Sequence, residues 1–504
     1  MNRRAAICGS FSFQVLYTMD ELWSQAVQAQ RSADWAKTYT LCEALLEQDP
    51  HHFGALNLLS LVALSLDQPG EALTLLDNAL TLVPDEPSAL VNRGAALHKL
   101  GRKDEAIVAY RQAVRVDASF AHGWYNLGTT LKEVGRLQEA EAALRACIAA
   151  QGDYRAGHFN LANTLMELRQ YDAAVFHYDR SLALDPSDPE AYKNRSFAHL
   201  MMGRFHQGFE DFEWRWKAPP LDKAWRELGC PQWDGRHALQ GKAILVHAEQ
   251  GLGDTLQFCR YLQAVKSRGA AQVVFEVQRP LLHLMRMVEG ADVVVPQGLP
   301  LPQYDFHIPL MSLPRAFGTT PGTIPAPVPY LRAPDGAEAR WAAQLPQGTF
   351  NIGICWQGSA KGTEVGKGIP LAAFRPLADF PDVRLFSLQK QGGEDDWRQA
   401  PEGMKVESFG PAFDSAVPFA DTAGVMCNLD LVVTTDTSVA HLAGGLGVPV
   451  WVALPHAADW RWGASGATSP WYPTMRLFRQ ASRGQWDACF HAIRQALEAH
   501  RRPQ

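Results

Sequence analysis

A 34-residue period constrains this chain more than any other feature. Asn92, Asn126, Asn160 and Asn194 recur at that interval, as do Ala72, Ala106, Ala140, Ala174 and Gly208. Bulky residues keep the same spacing at Leu76, Tyr110, Leu144, Tyr178 and Phe212, and small ones at Ser60, Gly94, Gly128, Ala162 and Ser196. Pro50, Pro84 and Pro186 share a phase with Ala118 and Gly152. A repeat of this length is one supersecondary unit that buries its apolar face only by stacking on its neighbours. Small side chains let two helices approach, the bulky residue fills the space beside them, and Pro stops the second helix because it lacks an amide donor. The expectation is an α-solenoid of paired helices over residues 19–222, as five full repeats and a partial sixth, after a disordered or short lead at 1–18.

The regularity ends in "FEWRWKAPPLDKAWRELGCPQWDGRHALQGK", which contains Trp214, Trp216, Trp225 and Trp233. Aromatic residues this dense do not suit a free linker. They predict a join at 223–240 that pins the last repeat to the next domain, with stacking on a sugar as the alternative. From 241 short apolar runs alternate with helical stretches, the pattern of a parallel sheet. Runs at 243–248, 273–277, 292–295 and 305–309 make a first half over 241–334. Runs beginning at 350, and at 383–389, 429–435 and 448–455, make a second over 348–504. A Pro-rich passage, "LPRAFGTTPGTIPAPVPYLRAP", reads as their connector. With 504 residues the chain is too long for one core, so several domains are expected.

Composition excludes several classes. A net charge of −6 argues against a nucleic-acid binder. The eight cysteines contain no Cys-x-x-Cys pair, so a zinc knuckle or disulfide framework is not indicated and a reducing, cytoplasmic setting is expected. No apolar run reaches the ~18–20 residues of a membrane span. Arg3 and Arg4 faintly imitate a secretory leader, but Ser10, Ser12 and Gln14 interrupt the apolar stretch behind them.

Two turns follow strands and start helices. In "ILVHAEQGLGDTLQF" the run to Ala248 breaks at Gly251 and Gly253, and Asp254 opens a helix. In "VVTTDTSVAHLAGGLGVPV" a strand ends at Thr435, Asp436-Thr437-Ser438 starts a helix, His441 follows one turn in, and Gly444, Gly445 and Gly447 close it. Asp, Thr or Ser at a helix start can cap free amides, and uncapped amides with the helix dipole can hold a phosphate. Two doubly wound halves would set both turns at a cleft between strand C-termini. For Asp254 the plain alternative is an N-cap and nothing more.

"NRGAALHKLGRKDEAIVAYRQAVRVD" and its copies resemble the tetratricopeptide repeat. The resemblance places the four asparagines on the first helix of each pair, facing a concave groove. There an amide, which both donates and accepts, can pair with any peptide backbone. Protein O-linked N-acetylglucosamine transferases look similar in carrying such a ladder. The alternative is four solvated residues shared because the repeats duplicated. In the second half, "GLGDTLQF", "DTSVAHLAGGLGVPV" and the loop "GSAKGTEVGKG" after "GICWQG" occur in the order of the heptosyltransferase-like glycosyltransferases, which they resemble over about 241–480. That resemblance implies a GT-B fold of two Rossmann-like halves, with the acceptor on the first and a nucleotide sugar on the second. It makes Asp254 the general base, beside Gly251 and Gly253 of the turn. A carboxylate beside a diphosphate would repel it, so Asp254 is expected to face the acceptor. The donor falls to Asp436, Thr437, Ser438, His441, Gln389 and a loop lysine, Lys361 or Lys367. Arg461 and Trp462 either shape the sugar pocket or pack.

No persuasive Asp-x-Asp pair offers itself to a metal, and no cofactor is expected beyond the nucleotide sugar as co-substrate. "GLGDTL" has Leu256 where a dinucleotide turn needs its third small residue, although Glu276 is suggestive of a ribose contact. "KGTEVGKG" misses a P-loop because Lys361 replaces the leading Gly and Gly368 the final Ser or Thr. These readings predict a metal-independent inverting glycosyltransferase whose repeat arm recruits a protein acceptor. The alternatives are a non-catalytic scaffold that binds a nucleotide sugar, and a nucleotide-sugar epimerase, which would leave the arm unexplained.

Overall fold

The computed structural model describes residues 18–325, 328–358, 368–390 and 396–501. Its contacts divide the chain into two compact units, Met1–Ala191 and Tyr192–Gln504.

The first unit is a helical solenoid. Paired helices run as α1 (Met19–Arg31), α2 (Trp35–Gln48), α3 (Phe53–Ser65), α4 (Pro69–Leu82), α5 (Pro87–Lys99), α6 (Lys103–Val116), α7 (Ala121–Glu133), α8 (Leu137–Ala150), α9 (Arg155–Glu167) and α10 (Tyr171–Leu184). The small-against-bulky rule operates as expected. A Cβ on Gly94 would lie 2.4 Å from the Tyr110 ring, and one on Gly128 would lie 2.6 Å from Leu144. These glycines are spaces into which the following helix inserts its large side chain.

Helix α11 (Pro189–Met201) crosses the division, and α12 (Phe205–Phe212) lies wholly in the second unit. The compact boundary therefore falls inside the last repeat rather than at 222. The reason is aromatic packing. Phe205 stacks on Trp471 with centroids 5.8 Å apart, and Phe209 meets Trp460 edge-on at 5.8 Å. In the join, Trp233 is buried and donates its indole N–H to the His237 carbonyl at 2.8 Å, while Trp214 stacks on Tyr192 at 4.1 Å.

The second unit holds two all-parallel sheets. The first comprises β1 (Ala243–His247), β2 (Gln272–Val277), β3 (Val293–Pro296) and β4 (Phe306–Pro309), in the order β3-β2-β1-β4. The other comprises β5 (Phe350–Cys355), β6 (Val383–Ser387), β7 (Val406–Glu407), β8 (Leu431–Thr434), β9 (Val450–Leu454) and β10 (Met475–Arg479), in the order β10-β9-β8-β5-β6-β7. Each order reverses direction once, between β1 and β4 and between β5 and β8. Those reversals are the topological switch points at which open α/β sheets leave a crevice beyond their strand C-termini. Helices α13 (Leu252–Phe258), α14 (Leu262–Lys266), α15 (Leu282–Met285), α16 (Leu313–Ala316), α17 (Ala337–Ala342), α18 (Ala420–Met426), α19 (Ser438–Leu446) and α20 (Asp487–His500) complete the unit. Between β5 and β6 the chain forms a 3-10 stretch, Leu371–Asp379, with Pro376 inside it. The pattern missed β7, which is too short to alternate, and β10, an edge strand whose apolar run is broken by Arg476 and Arg479. No helix among the described residues is long and apolar enough to cross a membrane.

Beneath the join, His247 Nε2 lies 3.4 Å from His307 Nδ1. Burial, helped by Arg226, His307 and Arg215, pushes the His247 imidazole down to about 3. The unfolded chain takes up this proton as pH falls below the ordinary histidine value near 6.5, whereas the folded chain does not until about 3. His247 therefore removes up to about 1.4 kcal/mol of stability per pH unit across that window, and contributes no such slope above it. Melting curves taken between pH 7 and 4 are expected to be flatter for His247→Gln than for the parent.

Candidate functional site

The turn after β1 is held from several directions. Gly251 is the N-cap of α13, and its N–H donates to Asp254 Oδ2 at 2.8 Å. Gln278 braces the same turn, accepting from Thr255 Oγ1 at 2.9 Å and donating to the Gln250 carbonyl at 2.9 Å. Asp254 is therefore not the N-cap of a helix that it opens: it is the third residue of α13, and its carboxylate reaches back to the N-cap amide. Its second oxygen takes a partner from the other half of the unit, the buried Arg461 guanidinium.

The turn after β8 behaves differently from expectation. Thr437 is the N-cap of α19, but its side chain caps no amide. The hydroxyl turns back to Thr434 Oγ1 at 3.2 Å and Cys355 Sγ at 3.9 Å, so Thr437 itself gives the N-terminus of α19 no side-chain cap. Asp436, Thr437 and Ser438 are all partly exposed there. Of the three glycines, only Gly447 ends the helix, with φ +77; Gly444 and Gly445 lie within it, against Tyr472 and Leu331.

The two turns meet. Helix α13 packs on α19, and a Cβ added at Gly253 would approach His441 Cδ2 to 2.9 Å and the Ser438 Cα to 3.7 Å. The His441 ring cannot retreat, because it stacks on Trp462 at 5.4 Å and its Nδ1 lies 2.8 Å from the Tyr472 hydroxyl. Gly253→Ala is therefore expected to wedge α13 from α19. The overpacking is expected to cost about 1–3 kcal/mol, read as a lower denaturation midpoint, while the circular dichroism spectrum stays that of the parent.

Arg461 is the electrostatic centre of this contact. Nε donates to Gln257 Oε1 at 2.9 Å, Nη1 to Asp459 Oδ1 at 2.8 Å, and Nη2 to Asp254. Burial alone would lower its pKa. The carboxylates of Asp459, Asp254 and Asp436 outweigh that and keep it charged. Trp462 is 1% exposed and stacks on His441. Two buried donors beside these groups, Gln257 Nε2 and Trp462 Nε1, meet no acceptor among the described residues.

Other expected contacts are placed elsewhere. Gln389 is buried, accepts from the Trp356 and Gln357 amides at 3.2 and 3.0 Å, and donates to the Gln357 carbonyl at 2.8 Å; it shapes the turn after β5. Glu276 is buried in a bidentate pair with Arg226, a partner that a ribose would have to displace. Lys361 and Lys367 lie outside the described residues.

In the solenoid, Asn92, Asn126 and Asn160 stand half-buried on α5, α7 and α9, with Asn194 on α11. Asn92 donates to Asn57 Oδ1 at 3.0 Å, and Asn160 to the Tyr125 hydroxyl at 3.2 Å; Asn126 Nδ2 meets His122 Nε2 at 3.2 Å. Asn57, His122 and Tyr125 are neighbours that the 34-residue register missed because they fall off its phase. His122 Nδ1 further meets the Tyr154 hydroxyl at 3.1 Å.

Family models of the tetratricopeptide repeat match residues 57–122, 121–154 and 156–188. The N-terminal half is a tetratricopeptide-repeat solenoid. Protein FlbA of Caulobacter vibrioides is 25% identical over 503 residues, covering 94% of this chain and 83% of that protein. Among solved structures, PilW, a type IV pilus biogenesis factor, is 19% identical with TM-score 0.37, covering 41% of this chain and 97% of that one. The thermophilic repeat protein TTC0263 of Thermus thermophilus is 21% identical with TM-score 0.32, covering 36% and 100%. YrrB, described as a repeat protein with an unusual peptide-binding site, is 17% identical with TM-score 0.32, covering 36% and 92%.

Proposed function

We propose that the chain is a GT-B glycosyltransferase that moves a sugar from a nucleotide sugar to an acceptor carried by the repeat arm. The observation that supports this reading is the meeting of two strand-to-helix turns, each at a switch point of its own parallel sheet. The N-terminus of α19, which Thr437 does not cap, suits a leaving diphosphate, with its dipole and first-turn N–H groups aimed at the negative charge. A lysine from the loop after β5, Lys361 or Lys367, would add countercharge, and no step requires a metal.

In this mechanism the Asp254 carboxylate takes the proton from an acceptor hydroxyl. The oxygen attacks the anomeric carbon from the face opposite the diphosphate, a carbon–oxygen bond forms, and the bond to the diphosphate breaks with its electron pair. The configuration inverts. The acceptor we infer is a protein segment lying along Asn92, Asn126 and Asn160, where amides and the Tyr125 and Tyr154 hydroxyls offer backbone partners. A cytoplasmic setting fits the nucleotide-sugar donor.

One observation favours a second reading. Both Asp254 oxygens are engaged, one by Arg461 and one by Gly251, as in a purely structural clamp. A non-catalytic scaffold would then bind the nucleotide sugar and keep it. A panel of nucleotide sugars, followed by thermal shift and by release of nucleoside diphosphate, separates the two. A ligand at a hundred times its Kd stabilises the folded protein by about 2.7 kcal/mol. A shift with release supports the transferase, a shift without release the scaffold, and no shift with any donor sinks both.

A further inference from the structure

Helix α12 and the 3-10 turn after it, Glu213–Lys217, belong by sequence to the end of the repeat arm, yet they grip the Asp254 turn from two sides. The first grip is Arg215, 1% exposed. Its Nε and Nη2 donate to the two oxygens of Glu249, itself buried, at 2.7 and 2.9 Å. Glu249 stands in the same turn as Gly251 and Asp254, and its Oε1 also accepts the Met311 N–H at 2.9 Å. Arg215 Nη1 holds its own segment, through the Phe212 carbonyl at 3.1 Å and Glu213 at 2.9 Å, and Nη2 reaches Ser312 Oγ at 2.9 Å. Every donor direction of the guanidinium is tied either to its own segment or to the turns after β1 and β4.

The second grip runs through Trp460. Its ring sits between Phe209, at 5.8 Å, and Phe212, at 6.5 Å, on one side, and the Arg461 guanidinium lies 4.5 Å from it. Arg461 then holds Asp254. The Ala464 N–H donates to the Met201 carbonyl at 3.0 Å, which fixes this loop to the end of α11. Helix α12 and the turn after it thus reach the Asp254 turn through Arg215 and Glu249 from before it, and Asp254 itself through Trp460 and Arg461 from across the crevice.

A buried ion pair is a poor source of stability, because desolvation offsets most of its attraction, so its value lies in fixing one geometry. We propose that Arg215 and Trp460 are positioning residues for Asp254, and that α12 with the 3-10 turn after it is a working part of the transfer site. This rests on the glycosyltransferase reading for its kinetic consequence and on geometry alone for its structural one.

The test uses the full chain with Arg215→Lys, which keeps the charge but not the fork, and Trp460→Phe, which keeps an aromatic wedge. Two measurements are made: nucleoside diphosphate release, and amide hydrogen exchange over 251–256. A positioning role predicts kcat about 10²-fold lower for Arg215→Lys, as for an ångström-scale misplacement, a smaller loss for Trp460→Phe, and an unchanged KM for the donor. Exchange over 251–256 is expected to quicken about tenfold while β5 and β8 keep parental rates. Parental kcat in both variants overturns the proposal, as does a KM that rises in step with the loss of kcat. Should the parent release no nucleoside diphosphate from any donor, the glycosyltransferase reading fails by itself. Exchange then decides: quickening confined to 251–256 upholds the positioning, and parental rates there end it. If Arg215→Lys does not fold, Trp460→Phe carries both measurements.

Discussion

Asp254→Asn is expected to lower nucleoside diphosphate release by about 10³-fold while the donor still raises the melting midpoint. General-base catalysis by a positioned side chain contributes roughly 10²–10⁴-fold, so its removal falls in that range. Asparagine has the same shape, and its carbonyl oxygen can still accept the Gly251 N–H that Asp254 Oδ2 accepts at 2.8 Å. The buried Arg461 loses one carboxylate but keeps Asp459 at 2.8 Å and Gln257 at 2.9 Å, so no charge is stranded and the fold is expected to persist. That compensation makes the variant informative, because loss of turnover then reports chemistry and not collapse. Equal release rates in parent and variant would falsify the role given to Asp254. Its engagement by Arg461 sets a condition as well. A carboxylate has about four acceptor positions, and two are in use, so the acceptor hydroxyl must reach one that remains.

Glu249→Ala is expected to cost about 3 kcal/mol, the lower end for a broken buried pair. Arg215 would stay buried with its Nε and one Nη2 direction unmatched, and only Glu213, Ser312 and the Phe212 carbonyl left to it. The Met311 N–H would lose its acceptor too. Urea denaturation of the full chain reads this as a lower midpoint for the transition of the α/β unit, with the solenoid transition unmoved. The double variant Arg215→Met with Glu249→Gln is expected to recover part of the loss, since a neutral pair strands no charge. A midpoint for Glu249→Ala equal to the parent's would mean that the pair holds nothing.

The two variants probe parts of one site that differ greatly in how visible they were beforehand. Asp254, Asp436 and His441 could be found because each lies beside a strand-to-helix turn with glycines or cap residues in a short window. Gly253 could be found as a turn residue, though its contact with His441 could not. Arg461 and Trp462 were legible only as polar and aromatic residues after a strand, and Arg215, Glu249 and Trp460 carried no signal beyond their type. Gln389 was picked for its place at a strand C-terminus, but its amide is spent on the turn after β5.

By itself the sequence determined the repeat, the two parallel sheets and the turns that bear Asp254 and Asp436. Those features depend on local faces, and a helix or strand writes its buried face into nearby residues at a fixed period. Only the tertiary structure decided that Asp254 is paired with Arg461, that Gly253 lies against His441, and that α12 belongs with the α/β unit. Such contacts join residues far apart in the chain. They follow from how the halves pack, and a single carboxylate or guanidinium leaves no periodic trace of the partner it will meet.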